Sequence, residues 1–344
     1  MPVANDAARP LLIDLALQGG GSHGAFTWGV LDRLLEEAQL RIEAISGTSA
    51  GAMNAAVLAH GWIEGGATGA RAALDAYWDR VATAAAFSPL QRSPLDRLFG
   101  RGSLDYSPVF ITLDLLSRVF SPYDLNPHGF NPLTRLLRES IAFERLGRSP
   151  IKLFITATNV RTGRGRIFRN AELTPDVLLA SACLPTMFQA IEIDGEPYWD
   201  GGFAGNPTIT PLIRESDAQD TILLQINPRE RPGTPRSAAE ILNRLNEVSF
   251  NATLMKELRM IALMRQVADP GSGEGRRWSQ MRIHRITTEL MTDLGYSSKL
   301  NGERDFLLML RAEGRRAAST FLEEHGKDLG RRSTADIDVL LTEC

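Results

Sequence analysis

Cysteine is scarce: Cys183 and Cys344 are the only two in 344 residues. Oxidative cross-linking is therefore no part of the design, a reducing compartment suits the chain, and a structural zinc cluster is not expected. Metal patterns are missing too, with no H-E-x-x-H, no paired histidines and no calcium loop of alternating acids. No metal and no other cofactor is expected, and activity should not need a divalent cation. No window reaches the roughly 20 uninterrupted apolar residues that a bilayer span requires. The opening "MPVANDAARP" lacks the basic-then-apolar order of a secretory signal, so the cytoplasm is the expected location. Charge of one sign is not in excess either. The net charge of −3 is spread over interspersed acids and bases, which gives no basis for a nucleic-acid partner.

Apolar residues make up 43% of the chain, enough for a large core. "LLIDLAL" reads as a buried strand, and "AFTWGVLDRLLEEAQL" places Phe26, Val30, Leu31, Leu34 and Leu35 at helical spacing. "IEAIS" and the alanine-rich "AGAMNAAVLAHG", ending at Gly61, form a second strand-helix unit. Residues 87–132 are broken by Pro and Gly around one short apolar helix, "VFITLDLLSRVF", and read as an insertion near a cleft. "IKLFITATNV" and "TILLQIN" are two more strands, apolar enough for a parallel sheet. Beyond "PRERPGTPRS" the pattern turns helical, with Ile241, Leu245, Val248, Leu254, Leu258 and Ile261 near helical spacing. The expected organisation is an α/β domain over 11–230 and a helical extension over 236–344, packed on or beside it.

The stretch "LALQGGGSHGAF" matches G-x-G-x-x-G through Gly19, Gly21 and Gly24. One reading is a dinucleotide loop, with Glu43 as the ribose-binding acid at the end of the second strand. Another follows from "ISGTSAGAMN", in which Gly47, Ser49 and Gly51 form G-x-S-x-G between a strand and a helix. A serine on so sharp a turn projects its hydroxyl, and the flanking backbones come too close for side chains. Such a nucleophile generates an oxyanion. The run Gly19, Gly20, Gly21, closed by Gly24, can aim backbone N–H groups at that charge from a helix start. Downstream, "YWDGGFAGNP" sets Asp200 before Gly201 and Gly202 at a tight turn, a candidate general base.

At these residues the chain resembles the patatin-like phospholipase family. A glycine-rich loop after the first strand, a G-x-S-x-G elbow after the second and a D-G-[GA] aspartate far downstream stand in the family's order, and "ASACLP" at 180–185 resembles its serine-and-proline block. The resemblance covers about residues 11–230. It implies a three-layer α/β/α fold around a mostly parallel sheet and a Ser-Asp dyad, with Ser49 the nucleophile, Asp200 the base and donors near Gly20 and Gly21 the oxyanion hole. It also implies a lipid-ester substrate of the phospholipase A or lysophospholipase type, with transient contact at a lipid surface. One departure stands out: where the family carries Arg or Lys in the loop, this chain has His23.

Chain order also permits a triad of Ser49, Asp200 and His284. Two strands before Ser49 are few for that architecture, and His60, His128 and His325 occupy less suitable segments. Arg161, Arg164, Arg166 and Arg169 are either a solvated hairpin tip or a site for a lipid phosphate. Besides the hydrolase, two readings stay open: a dinucleotide-binding oxidoreductase, and a catalytically silent scaffold that binds lipid or protein.

Overall fold

Two strand-helix units open the chain in the computed structural model, which describes residues 10–100 and 102–342. Cys344 lies outside the described residues. β1 (Leu11–Leu17) leads through a 3₁₀ turn, Gly21–His23, into α1 (Gly24–Leu34), and β2 (Leu40–Gly47) leads into α2 (Ala50–Ala86). Every residue of β1 from Ile13 to Leu17 is buried, the continuous burial of a strand covered on both faces. The alanine-rich helix does not stop at Gly61. It breaks at Gly65 and Gly66 and continues, and Gly61 packs against the backbone of Gly69 across that break.

The insertion forms α3 (Pro94–Phe99), α4 (Pro108–Ser117), α5 (Pro122–Leu125), α6 (Pro132–Ser140) and α7 (Phe143–Leu146). The first four carry Pro in the first turn, where its fixed φ suits a helix and its missing N–H costs nothing. α4 buries none of its residues. Next come β3 (Lys152–Asn159), β4 (Gly165–Arg169), α8 (Pro175–Ser181), β5 (Ile191–Ile193), β6 (Glu196–Asp200), α9 (Thr210–Glu215) and β7 (Asp220–Leu224). The C-terminal region holds α10 (Ala238–Val267), α11 (Gly273–Gln280), β8 (Arg282–Ile286), α12 (Leu290–Asp293), a 3₁₀ turn over Tyr296–Leu300 and α13 (Arg304–His325).

β3, β2, β1, β7 and β8 pair in parallel in that order. β4 and β6 pair antiparallel with β3, and β5 with β6. One core contains Ile13, Leu15 and Leu17 with α1, α2, α8 and α13; the other contains Ala16 with α9, α10 and α11. Alternate residues of β1 thus feed opposite faces, and the fold is a three-layer α/β/α sandwich with a mostly parallel sheet, as expected.

The C-terminal region is mostly helical, but its "RIHRI" departs from the helical pattern expected there and forms strand β8 in the same sheet. Burial on both faces explains it: Ile283 packs into one core and Ile286 into the other, with His284 buried between them and Arg285 exposed. α13 lies along α1, where Gly29 and Gly314 let the two backbones touch and Asp32 takes Arg71, Arg311 and Arg315. α10 departs from its expected apolar face. Leu254, Leu258 and Ile261 are buried, whereas Ile241, Leu245 and Val248 are exposed, because the first half of the helix turns a polar face inward, with Glu247 buried against Arg231 and Arg244 and Asn251 against the Pro228 carbonyl. Three of the hairpin arginines meet acids: Arg161 meets Glu196, Arg166 meets Asp194, and Arg169 meets Glu215.

Candidate active site

β2 ends at Gly47 and α2 begins at Ala50, so the chain must reverse within two residues. Ser49 takes φ 54° and ψ −122°, a strained conformation for a residue with a side chain. Close approach accounts for the flanking glycines: a Cβ on Gly47 would stand 2.7 Å from the Gly51 carbonyl oxygen, and one on Gly51 would strike the Leu17 carbonyl. The Ser49 N–H donates to Ser181 Oγ at 2.9 Å, and Ser181 Oγ donates to the Thr156 carbonyl at 2.7 Å. The serine of "ASACLP" therefore braces the elbow. The Thr48 hydroxyl donates to the Gly205 carbonyl at 2.7 Å from the other side.

Asp200 is the last residue of β6. Its N–H donates to the Cys183 carbonyl, and its own carbonyl accepts from the Thr158 hydroxyl, both at 2.8 Å. The side chain is 2% exposed. Oδ1 accepts the Gly202 N–H at 2.7 Å, and the Ser49 hydroxyl is within hydrogen-bonding reach of the carboxylate. Gly201 sits against the Thr156 carbonyl and Gly202 against the Phe250 ring, which lets the turn seat the carboxylate this deep. Burial pushes the carboxyl up to about 7, against the opposing pull of Gly202, Ser49 and Lys299. A group so poised changes protonation near neutrality, as a general base must.

The glycine loop lies beside the elbow, where a Cβ on Gly19 would fall 2.6 Å from Ser49 Cβ. Of the four glycines expected to supply donors, two have theirs committed. Gly19 N–H donates to Asn206 Oδ1 at 2.7 Å, and Gly24 N–H turns back to the carbonyls of Gly21 and Ser22 as α1 begins. The Gly20 and Gly21 N–H groups have no acceptor among the described residues. Side chains far away in sequence fix the loop. Asn227 Nδ2 donates to the Gly19 carbonyl at 2.8 Å, and Gln18 bonds Asn206, Asn227 and Asn251. Gly21 takes φ 57°, and a side chain there would meet the Lys299 carbonyl.

His23 is buried beneath the loop. Ser298 Oγ donates to the Gly295 carbonyl at 2.6 Å and so accepts from His23 Nε2–H at 2.7 Å, leaving Nδ1 unprotonated and without a partner. Burial, with Lys299 and Arg231 nearby, lowers its pKa well below the ordinary value. No fixed charge enters the loop at this position.

Ser49, Asp200 and the glycine loop open onto one cavity of about 550 Å³. Its walls are largely apolar, with Met53, Trp78, Leu133 and Met187 inside and the exposed rings of Phe87 and Phe130 at the insertion. The motifs do not reveal Lys299, which reaches the cavity from the Tyr296–Leu300 turn. Its Nζ donates to Asn227 Oδ1 at 2.8 Å, and burial lowers its pKa to about 8. "YSSKL" carries no pattern that would mark it.

The alternatives fare differently. His284, fully buried on β8, bonds Asp220 Oδ1 at 2.9 Å and Thr334 Oγ1 at 3.1 Å, and among the described residues no histidine lines the cavity. Glu43 lies mid-strand and pairs with Lys152 at 3.0 Å, away from the strand end where a ribose would be met. Among the described residues no group of three His, Cys, Asp or Glu side chains could hold a metal ion, and no helix is long and apolar enough to cross a membrane.

None of the curated proteins matches the sequence. Among solved structures, VipD from Legionella pneumophila is similar at 16% identity and a TM-score of 0.35, over 98% of this chain and 80% of that one. The sequence profile described as patatin-like phospholipase matches residues 15–213, more than half of the chain and all the motifs above. The protein belongs to the patatin-like phospholipase family.

Proposed function

We propose that the protein is a serine acyl hydrolase that cleaves carboxylic esters of lipids, of the phospholipase A or lysophospholipase type, through a Ser49–Asp200 dyad. One observation carries this: a serine on a strained elbow stands within reach of a buried carboxylate that protonates near neutrality, at an apolar cavity. Ser49 Oγ attacks the ester carbonyl carbon while its proton passes to Asp200. The carbonyl oxygen becomes an oxyanion facing the free N–H groups of Gly20 and Gly21. Collapse breaks the bond to the leaving alcohol, which takes the proton from Asp200 and leaves an acyl ester on Ser49. Water then gives a proton to Asp200 and attacks the acyl carbon; Ser49 leaves with that proton, and the carboxylic acid departs. The cavity suits an acyl chain, since burying each methylene contributes about 0.8 kcal/mol.

A fluorophosphonate probe and a p-nitrophenyl acyl ester test the reading. Labelling and turnover are expected in the wild type and absent in Ser49→Ala with its circular dichroism unchanged. Turnover retained by Ser49→Ala would remove Ser49 from the mechanism. A dinucleotide loop would instead show as NADH fluorescence enhancement with no labelling.

A further inference from the structure

Two side chains lining the catalytic cavity are charged, Asp200 and Lys299; the rest are apolar, small or neutral. The Lys299 ammonium makes one hydrogen bond, to Asn227 Oδ1, and no carboxylate stands within ion-pair distance of it among the described residues. It lies 5.9 Å from the centroid of the Phe250 ring, the ring that also packs on Gly202 beside Asp200. A cation drawn partly out of water with no paired carboxylate carries a cost to the fold, and packing alone gives no return on that cost. The same residue backs the loop that bears the free donors, because its carbonyl occupies the space a side chain on Gly21 would need. His23, inside that loop, is neutral.

We propose that Lys299 is the cation of this active site: across the apolar cavity its ammonium favours the ionised Asp200 that accepts the Ser49 proton, and offsets the charge forming on the substrate carbonyl oxygen. This rests on the Ser49–Asp200 reading above. Lys299 acts as a positioning and electrostatic residue and not as the base, because its ammonium is anchored on Asn227 while Ser49 faces Asp200. The C-terminal region thereby completes a site whose motifs all lie before residue 203.

The surrounding groups define the pH dependence. Arg231 and Glu247 face Lys299 from the segment after β7 and from α10, and pair with each other at 2.7 Å, with Arg244 joining Glu247 at 3.3 Å. Burial keeps His23 neutral. Cys183 and Tyr296 face Asp200, and burial pushes the thiol up to about 12 and the phenol upward as well. Asp200 gains its charge as pH rises through about 7, and Lys299 loses its charge as pH rises through about 8. A narrow bell of activity between those values follows.

Initial rates on a neutral short-chain p-nitrophenyl ester, from acid to alkaline pH, test this with wild type, Lys299→Met and Lys299→Arg. In Lys299→Met, kcat should fall about ten-fold or more at the wild-type optimum, with KM little changed and the acid limb moved to higher pH. Lys299→Arg should retain most of kcat, and its alkaline limb should move upward because a guanidinium stays charged there. An unmoved acid limb in Lys299→Met overturns the proposal, as does an unchanged alkaline limb in Lys299→Arg. Should Lys299→Met fail to fold, the arginine variant decides alone. A KM defect confined to anionic esters, with kcat on the neutral ester intact, would make Lys299 a headgroup contact and also overturn it. Turnover by Ser49→Ala would sink the parent reading, whereas a dead Ser49→Ala with unmoved limbs sinks only the role of Lys299.

Discussion

Replacing Asp200 by asparagine should make the protein more stable and nearly inactive at once. Folding lifts this carboxyl from 3.8 to about 7. The native state therefore binds more protons than the unfolded chain between those values, and stability declines as pH rises through that window. Above it the ionised aspartate costs about 4 kcal/mol, at roughly 1.36 kcal/mol for each pH unit by which the group is raised. An asparagine never ionises. It keeps an oxygen for the Gly202 N–H and offers an amide proton to Ser49 Oγ, so the turn survives. At pH 8 the variant should be more stable by about 4 kcal/mol, or about 5 °C in Tm for a chain of this length at ~2.1 cal/mol/K of melting entropy per residue. At pH 5, where the native aspartate is mostly protonated, the gain should shrink below about 2 kcal/mol. Turnover should move the other way, because loss of the proposed base lowers kcat by about 100- to 10,000-fold. Differential scanning fluorimetry at the two pH values and p-nitrophenyl ester kinetics read both quantities. A variant that melts no higher than wild type at pH 8, or keeps more than about a tenth of kcat, refutes the argument.

Two further substitutions separate chemistry from architecture. Gly21→Ala forces a side chain onto the Lys299 carbonyl and disturbs a loop with free donors, so kcat should fall about 100-fold with KM within a few-fold; a KM effect alone would count against an oxyanion role. His284→Ala leaves Asp220 buried with Arg282 and the Gly330 N–H, so it should cost about 3 kcal/mol in urea unfolding while kcat per folded molecule stays unchanged. Loss of kcat to the level of Ser49→Ala would instead restore the triad.

The sequence alone determined the parts of this protein that depend on backbone close approach. Gly47 and Gly51 around Ser49, the loop ending at Gly24, and Gly201 with Gly202 after Asp200 are legible because each marks a place where a Cβ would collide, although the groups it would strike, such as Leu17 for Gly51 and Thr156 for Gly201, mostly lie far away in sequence. The buried strands β1, β2, β3 and β7 were legible for a similar reason, since continuous apolar runs of that length have few other uses. What the sequence left open are interactions between residues brought together from distant segments. Nothing local to Gly19 shows that Asn206 takes its N–H, nothing in "ASACLP" shows that Ser181 holds the Ser49 backbone, and "YSSKL" does not reveal that Lys299 stands in the cavity beside Ser49 and Asp200. Nor does "RIHRI" disclose that it joins β7, because a short charged strand becomes a strand through the partner it meets. The reach of a charge or a hydrogen bond across space is set by how the layers pack, and that was decided only when α13 docked on α1 and carried the C-terminal region back over the first strand-helix unit.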